Sequence, residues 1–421
     1  MGPFESATES QVHGRSQVAG ELPTTLATDP SEVRPLTGLR LFAAAWVVLF
    51  HFEFTQGHLL ARVLAPVYPV VTTGAMGVDL FYVLSGFVIA FTYLGKLGPR
   101  WRWRVAGKFL WARVCRIWPV YALVTTLFGA YLLFKMVRLA DAAPAYQNVQ
   151  PSVTLSSWVQ QLAMVQIWLR PWHDGASFVG PAWSISAEWL AYVLFPMAAL
   201  VFFRMRGWPR WLLGGLAVLL MVPVSVLCLR TGSPYFPFSW LGRIGAGFIA
   251  GVLTYLVVKD IPRTDRVRRA ATVASWLLVA AVFGGLALGA WLGPAPEGTE
   301  RGGMVLVLFP PLIGALALAA GSRSAGPARL LSTRWAVHGG RISYSLYLVH
   351  VPIFEVFWFA IDRIPAFHVD GPLSTALTPV TFLTTFALAH LLFYLVEEPA
   401  RQVLRRLTTP RTPSPRHPAP R

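Results

Sequence analysis

Charge is scarce in this chain. Only 13% of its 421 residues are charged against 55% hydrophobic, and the mean hydropathy is +0.54, which excludes an ordinary soluble domain. Acids are scarcest, 19 against 36 Lys plus Arg, so the formal charge is +17 and the pI about 10.6. In a soluble protein that balance would suggest nucleic acid. Here the arginines sit in short segments between apolar runs, the positive-inside pattern, and no nucleic-acid recognition motif is present. Cysteine is nearly missing: Cys115 and Cys228 lie in or beside separate apolar runs without CxxC spacing, which supports neither a disulfide framework nor a cysteine metal site. A GxSxG elbow is also lacking, so Ser85 reads as a packing or hydrogen-bonding residue rather than a nucleophile. GRIGAGFIAG, from Gly242 to Gly251, has no preceding strand, and its Gly247 and Gly251 suit close helix packing better than a dinucleotide loop.

Long apolar runs are what the chain does have. They predict an all-α polytopic membrane protein, about ten transmembrane helices in a single bundle: 38–57, 70–94, 109–134, 183–203, 211–228, 238–258, 270–292, 304–320, 342–360 and 379–396. Residues 1–33 are polar and lack the basic start and apolar core of a cleavable signal, so they read as a disordered cytoplasmic tail. Residues 34–401 form the transmembrane domain, and the basic, Pro-rich 402–421 a second cytoplasmic tail. The weaker apolar stretch 153–169, interrupted by Gln160, Gln161 and Gln166, reads as amphipathic or re-entrant; as a full span it would invert everything downstream. Basic residues agree with ten helices and both termini in the cytosol. Expected inner segments hold Lys96 to Lys108, Arg204 to Arg210, Lys259 to Arg269, Arg323 to Arg334 and Arg401 to Arg406, while outer loops hold isolated ones such as Arg62, Arg170 and Arg301.

Against that background, ionisable residues inside apolar runs stand out. His51 follows Arg40 by eleven residues, which places its imidazole roughly 17 Å into a hydrocarbon core about 30 Å thick. A neutral imidazole there suits a general base; the alternative is a histidine hydrogen-bonded within the bundle. Asp79, Glu188 and Arg243 lie sixteen or seventeen residues from the nearest inner charge, about 24 to 26 Å of helix, and with His51 form an expected polar layer from mid-membrane outward. Glu53, two residues from His51, faces away on a regular helix. Arg113 and Arg116 share a helix face near the level of Arg40, and arginine forks suit phosphate oxygens, so these three are candidates to hold an anionic donor entering from the cytosol. The alternative for the pair is plain anchoring. His350 and Tyr347, with Arg243, are candidates to line the acceptor side; the equal alternative for His350 is a hydrogen bond within the bundle.

RPLTGLR…VVLFHF, GVDLFYVLSGF, RVCRIWP, WSISAEW, GRISYSLYLVH and VEEPAR, in that order from Arg34 to Arg401, resemble the membrane O-acyltransferases of the acyltransferase 3 family. The resemblance implies a ten-helix enzyme that moves an acyl group, commonly acetyl, from cytosolic acyl-CoA to a hydroxyl of a sugar or glycoside, with no tightly bound cofactor and no metal. It assigns transfer to His51 and the donor to Arg113 and Arg116; the opening arginine falls on Arg40, and the acid of the W-S-x-S-x-E stretch on Glu188. With Asp79 as a further acidic partner, His51, Asp79 and Glu188 are the expected catalytic set. Thr37 stands where that family often has an acid, so that acid's role has no carrier here. No hydrolase-like domain follows the last helix. The LTGLR form looks like members that acylate macrolides and other glycosides, which leaves macrolide tailoring and cell-envelope O-acetylation both open, as it does direct transfer or an acyl-histidine intermediate. A transporter or exporter is the rival class, since it too would keep ionisable residues at midplane, although no repeated halves are visible.

Overall fold

The computed structural model describes residues 32–56, 67–139, 147, 149–367 and 371–406. Most of both expected tails and the loop position Arg62 lie outside the described residues, as does the side chain of Glu53. Among the described residues ten helical stretches are long and apolar enough to cross a membrane, and the protein is an all-α polytopic membrane bundle. In chain order the helices are α1 (Arg34–Gln56), a short α2 (Tyr68–Thr72), α3 (Met76–Leu97), α4 (Trp103–Arg138), a short α5 (Leu155–Leu162), α6 (Trp183–Met205), α7 (Arg210–Thr231), α8 (Ser239–Val258) and α9 (Asp265–Trp291). A 3₁₀ segment, Glu300–Leu308, then runs into α10 (Phe309–Leu318), followed by the short α11 (Pro327–Leu331), by α12 (Arg334–Arg363) and by α13 (Pro372–Leu392). A π-helical turn, Phe393–Glu397, joins α13 to α14 (Glu398–Arg406).

The departures from the sequence reading have local causes. The run 70–94 is two helices, because the chain turns through Thr73 to Ala75 and Gly74 abuts α1: a Cβ there would meet the Trp46 carbonyl at 2.4 Å. The eighth span is composite, and α12 begins eight residues before the expected Ile342. Between α4 and α6, α5 has only eight residues, roughly 12 Å of rise, too short to span. Two of the three glutamines that interrupt this stretch, Gln161 and Gln166, are pinned inside. Gln161 accepts the Phe178 N–H at 3.0 Å, and Gln166 donates to the Tyr121 hydroxyl at 3.0 Å and to Ser177 at 3.2 Å, which holds the connection against α4.

Hydrogen bonds between helix ends define two poles. At the basic pole Arg34 donates to the Ser332 carbonyl (2.9 Å), Arg210 to the Asp260 carbonyl (3.1 Å) and the Trp111 indole to the Leu404 carbonyl (3.1 Å). At the other pole the backbone N–H groups of Glu297 and Glu300 bond Thr231 and Gly232, and the Trp240 indole donates to the Arg170 carbonyl. Two contacts between helices require glycine. A Cβ on Gly251 of α8 would lie 2.0 Å from the Val83 carbonyl of α3, and one on Gly340 of α12 would lie 1.8 Å from the Thr37 carbonyl of α1. Such close backbone approach is the general means of packing helices in lipid. The second contact aligns α1 with α12, and so brings His51 to His350.

Candidate active site

On α1, eleven residues are three turns plus about 20°, so Arg40 and His51 share one face; on α12, seven residues separate Ser343 from His350 by nearly two turns. The faces are in register. Arg40 Nε donates to Ser343 Oγ at 3.4 Å, and at the other end the His51 and His350 rings lie 5.0 Å apart, edge to face. Between them Ala44 and Val47 are fully buried. His51 Nδ1 lies 2.9 Å from the Val47 carbonyl. Donation from Nδ1 to that carbonyl fixes the tautomer whose Nε2 carries the lone pair, the form required of a base. His51 lines a cavity of about 390 Å³, with Phe50, Trp183, Tyr235, Phe354 and Trp358 as aromatic walls and Asp174, Glu297, Glu300 and Glu355 among its polar residues. His350 is wholly buried behind His51 and 5.7 Å from the Tyr347 ring.

The expected layer of four ionisable groups resolves into separate pairings. Asp79 and Arg243, each 1% exposed, form a two-pronged ion pair, Nε to Oδ1 at 3.0 Å and Nη2 to Oδ2 at 2.6 Å, with Nη2 also 3.3 Å from the Ala75 carbonyl. Arg243 therefore does not line the cavity. It sits behind Trp183 and Tyr235, 5.5 and 5.4 Å from their rings. Glu188 accepts the Tyr192 hydroxyl at 2.5 Å, and Tyr192 in turn meets Ser85 at 2.9 Å. Asp79 and Glu188 are thus each taken up by a partner on α8 or α6, and the structure does not bring them together with His51 as one catalytic set. Tyr347 also holds structure rather than facing the cavity: its hydroxyl is 2.7 Å from Ser184 Oγ and donates to the Pro181 carbonyl at 3.0 Å, fixing the segment that carries Trp183.

The arginines do converge. Arg113 is buried, donates to the Tyr93 hydroxyl at 3.2 Å, and lies over the Tyr93 ring at 5.2 Å and the Tyr192 ring at 6.0 Å. Arg116 interacts electrostatically with Arg40, Glu397, Arg113 and Tyr192. Three cations therefore gather at the basic pole, and two of them, Arg40 and Arg116, act on Glu397, whose Oε2 accepts from Ser345 at 2.8 Å. Tyr192 joins this cluster to Glu188, so polar groups continue from the arginines into the bundle.

Five acids of this arrangement are not among the sequence candidates. Asp174, Glu297, Glu300 and Glu355, the last 1% exposed, share the cavity with His51, while Glu397 closes the π-turn, a distortion that often accompanies function. Glu355 was legible in principle, as a carboxylate within VPIFEVFWF. His173, on the connection before α6, lies 4.5 Å from Trp183 and 5.0 Å from Tyr235, ring to ring. Burial pushes its pKa down to about 4; Asp174 opposes this and Arg243 adds to it, so the ring is neutral at pH 7. Among the described residues no group of three or more His, Cys, Asp or Glu is placed to hold a metal ion.

A family model described as an acyltransferase domain, acyltransferase 3, matches residues 35–396. Among curated relatives, the acyltransferase MdmB of Streptomyces mycarofaciens is 28% identical over 269 residues, 59% of this chain and 62% of its own length. The O-acetyltransferase OatA of Staphylococcus aureus is 23% identical over 385 residues, 89% of this chain and 58% of its own. A Rhizobium radiobacter protein named protein 2 in picA locus is 31% identical over 36% of this chain. The chain spans about six-tenths of the length of the first two relatives. No solved structure matches.

Proposed function

The chain belongs to the acyltransferase 3 family, whose domain it carries over residues 35–396, and from that premise we propose that it is a membrane O-acyltransferase moving an acyl group, acetyl or another short chain, from acyl-CoA to a hydroxyl of a sugar, glycoside or macrolide-type acceptor. The observation that carries this reading is the alignment of one α1 face: Arg40 at the basic pole, within the three-arginine cluster, and His51 three turns away on the cavity. The basic pole faces the cytosol in this reading, in accord with the distribution of Lys and Arg. Arg40, Arg113 and Arg116 hold the phosphates of the donor, for which planar charged forks are suited. The acyl end of the donor then extends about 16 Å along α1 toward His51.

In the transfer, His51 Nε2 accepts the proton of the acceptor hydroxyl as that oxygen attacks the thioester carbonyl. The new C–O bond forms, the C–S bond breaks, and the departing thiolate takes the proton back from the imidazolium. The Val47 carbonyl, accepting from Nδ1, orients the ring and stabilises its charged form. Glu188 and Asp79 serve this reading as positioning groups, Glu188 through Tyr192 beside Arg113 and Asp79 by holding Arg243 behind the cavity wall.

The test is direct. Purified protein in detergent, given radiolabelled acetyl-CoA and a panel of glycosides, should yield a labelled ester whose mass spectrum shows the added acyl group. A carrier without enzymatic activity would move a glycoside across vesicles and form no covalent product.

A further inference from the structure

The cavity on which His51 opens reverses the charge of the rest of the chain. In a protein of formal charge +17, Asp174, Glu297, Glu300 and Glu355 line it, and no lysine or arginine is among its described lining residues. The cations nearby do not cancel that charge. Arg243, behind the aromatic wall, is paired with Asp79. Lys135 lies 5.6 Å from the Tyr131 ring, beside which Glu355 also acts, so it can offset Glu355. His173, 3.5 Å from Asp174, is pushed by burial toward its neutral form.

A second observation points to a guest. Glu300 Oε2 and Trp358 Nε1 are both buried without a hydrogen-bond partner among the described residues, and Trp358 as a whole is 3% exposed. Buried polar atoms are rarely left so, and both residues line the cavity: one presents an acceptor, the other a donor. Trp183, Tyr235 and Phe354 share the lining, and the first two already hold the Arg243 cation 5.5 and 5.4 Å from their rings. The volume, about 390 Å³, is in the range of small-molecule sites.

We infer that this cavity takes a cationic guest, an amino sugar or an amine-bearing glycoside, whose protonated nitrogen sits among Asp174, Glu297 and Glu300 while a hydroxyl reaches His51. That the guest is an acyl acceptor rests on the transfer reading above; that it is a cation rests on the cavity. Acceptors bearing phosphate or carboxylate near the reacting hydroxyl meet like charges here and are disfavoured.

Matched methyl glycosides of one sugar, differing only in a free amine, an N-acetyl group or a hydroxyl, test this with the full chain in lipid nanodiscs. Trp183 and Trp358 supply the signal, as quenching of intrinsic fluorescence, at a pH below the amine's pKa. The amine should bind about tenfold or more tightly than both neutral partners, and added salt should narrow the gap. Glu297→Gln, on the exposed rim, and Glu300→Gln should each reduce the preference for the amine over the neutral sugars at least about threefold. Equal binding of all three sugars, no saturable binding of the amine, or a preference indifferent to both substitutions overturns the inference. Acyl transfer is measured separately on the same sugars: a preserved amine preference with no ester formed removes the transfer reading alone, and ester formed without amine preference removes the cation alone.

Discussion

Asp79 shows why a charge inside an apolar run is not by itself a catalyst. Its two oxygens are both taken by Arg243, at 2.6 and 3.0 Å, in a pair 1% exposed on each side. Removing one member of such a pair strands the other, at a cost of about 3–5 kcal/mol. Asp79→Ala should therefore lower the melting temperature of the purified protein sharply, and adding Arg243→Leu should restore part of it. A folded, normally stable but inactive Asp79→Ala protein would instead make Asp79 catalytic. Arg116 carries the opposite expectation. It stands in a cation cluster with Arg40 and Arg113, so Arg116→Ala should leave the fold intact and weaken acyl-CoA binding by about 1.5–3 kcal/mol, ten- to hundredfold, while acceptor binding changes little. Equal acyl-CoA affinity in wild type, both single mutants and the Arg113, Arg116 double mutant would leave these arginines as topological anchors. The sequence made these residues legible because polar atoms in an apolar run are conspicuous. It did not make the partners legible: depth along a helix and which residues share its face can be counted, but which neighbouring helix that face meets cannot, and that packing sent Asp79 to Arg243 and left Glu355 and Glu300 in the cavity with His51.

At the scale of elements, the α3–α8 contact is a packing that the glycines of the chain announce. Gly247 and Gly251 were read as a close-packing stripe, and both meet α3, at the Tyr82 Cβ and the Val83 carbonyl. Gly251→Val should abolish folded protein, since a side chain there meets backbone at 2.0 Å, whereas Gly245→Ala, with open space around it, should be neutral. Equal yields of monodisperse protein from both variants would contradict a packing role. Breaks within helices were harder to read than packing. The turn after Thr72 lies within a continuous apolar run and the π-turn Phe393–Glu397 differs from its neighbours only by Glu397, so hydropathy passes over both; tertiary contacts, such as Gly74 against Trp46, decide where the ladder of hydrogen bonds changes.

The described helices form a bundle with unlike poles, arginine-rich at one and acidic and aromatic at the other, spanned on one side by α1 against α12. Ten spans were legible because apolar length and the alternation of basic segments agree, and α5 keeps that parity by being too short to cross. If the basic pole is cytosolic, cysteines introduced as Gly20→Cys and Pro410→Cys should resist an impermeant thiol reagent in intact cells and react after lysis; labelling of either from outside would invert the assignment of donor and acceptor sides. The two poles meet chemically at one side chain. The most direct measurement is acetyl transfer by purified His51→Ala protein that elutes as a folded species and retains wild-type affinity for acetyl-CoA. Transfer at least about a hundredfold slower than wild type is the expected result, since a positioned base contributes about 10²- to 10⁴-fold; near-normal turnover in that folded, donor-binding variant would contradict His51 as the centre of the chemistry.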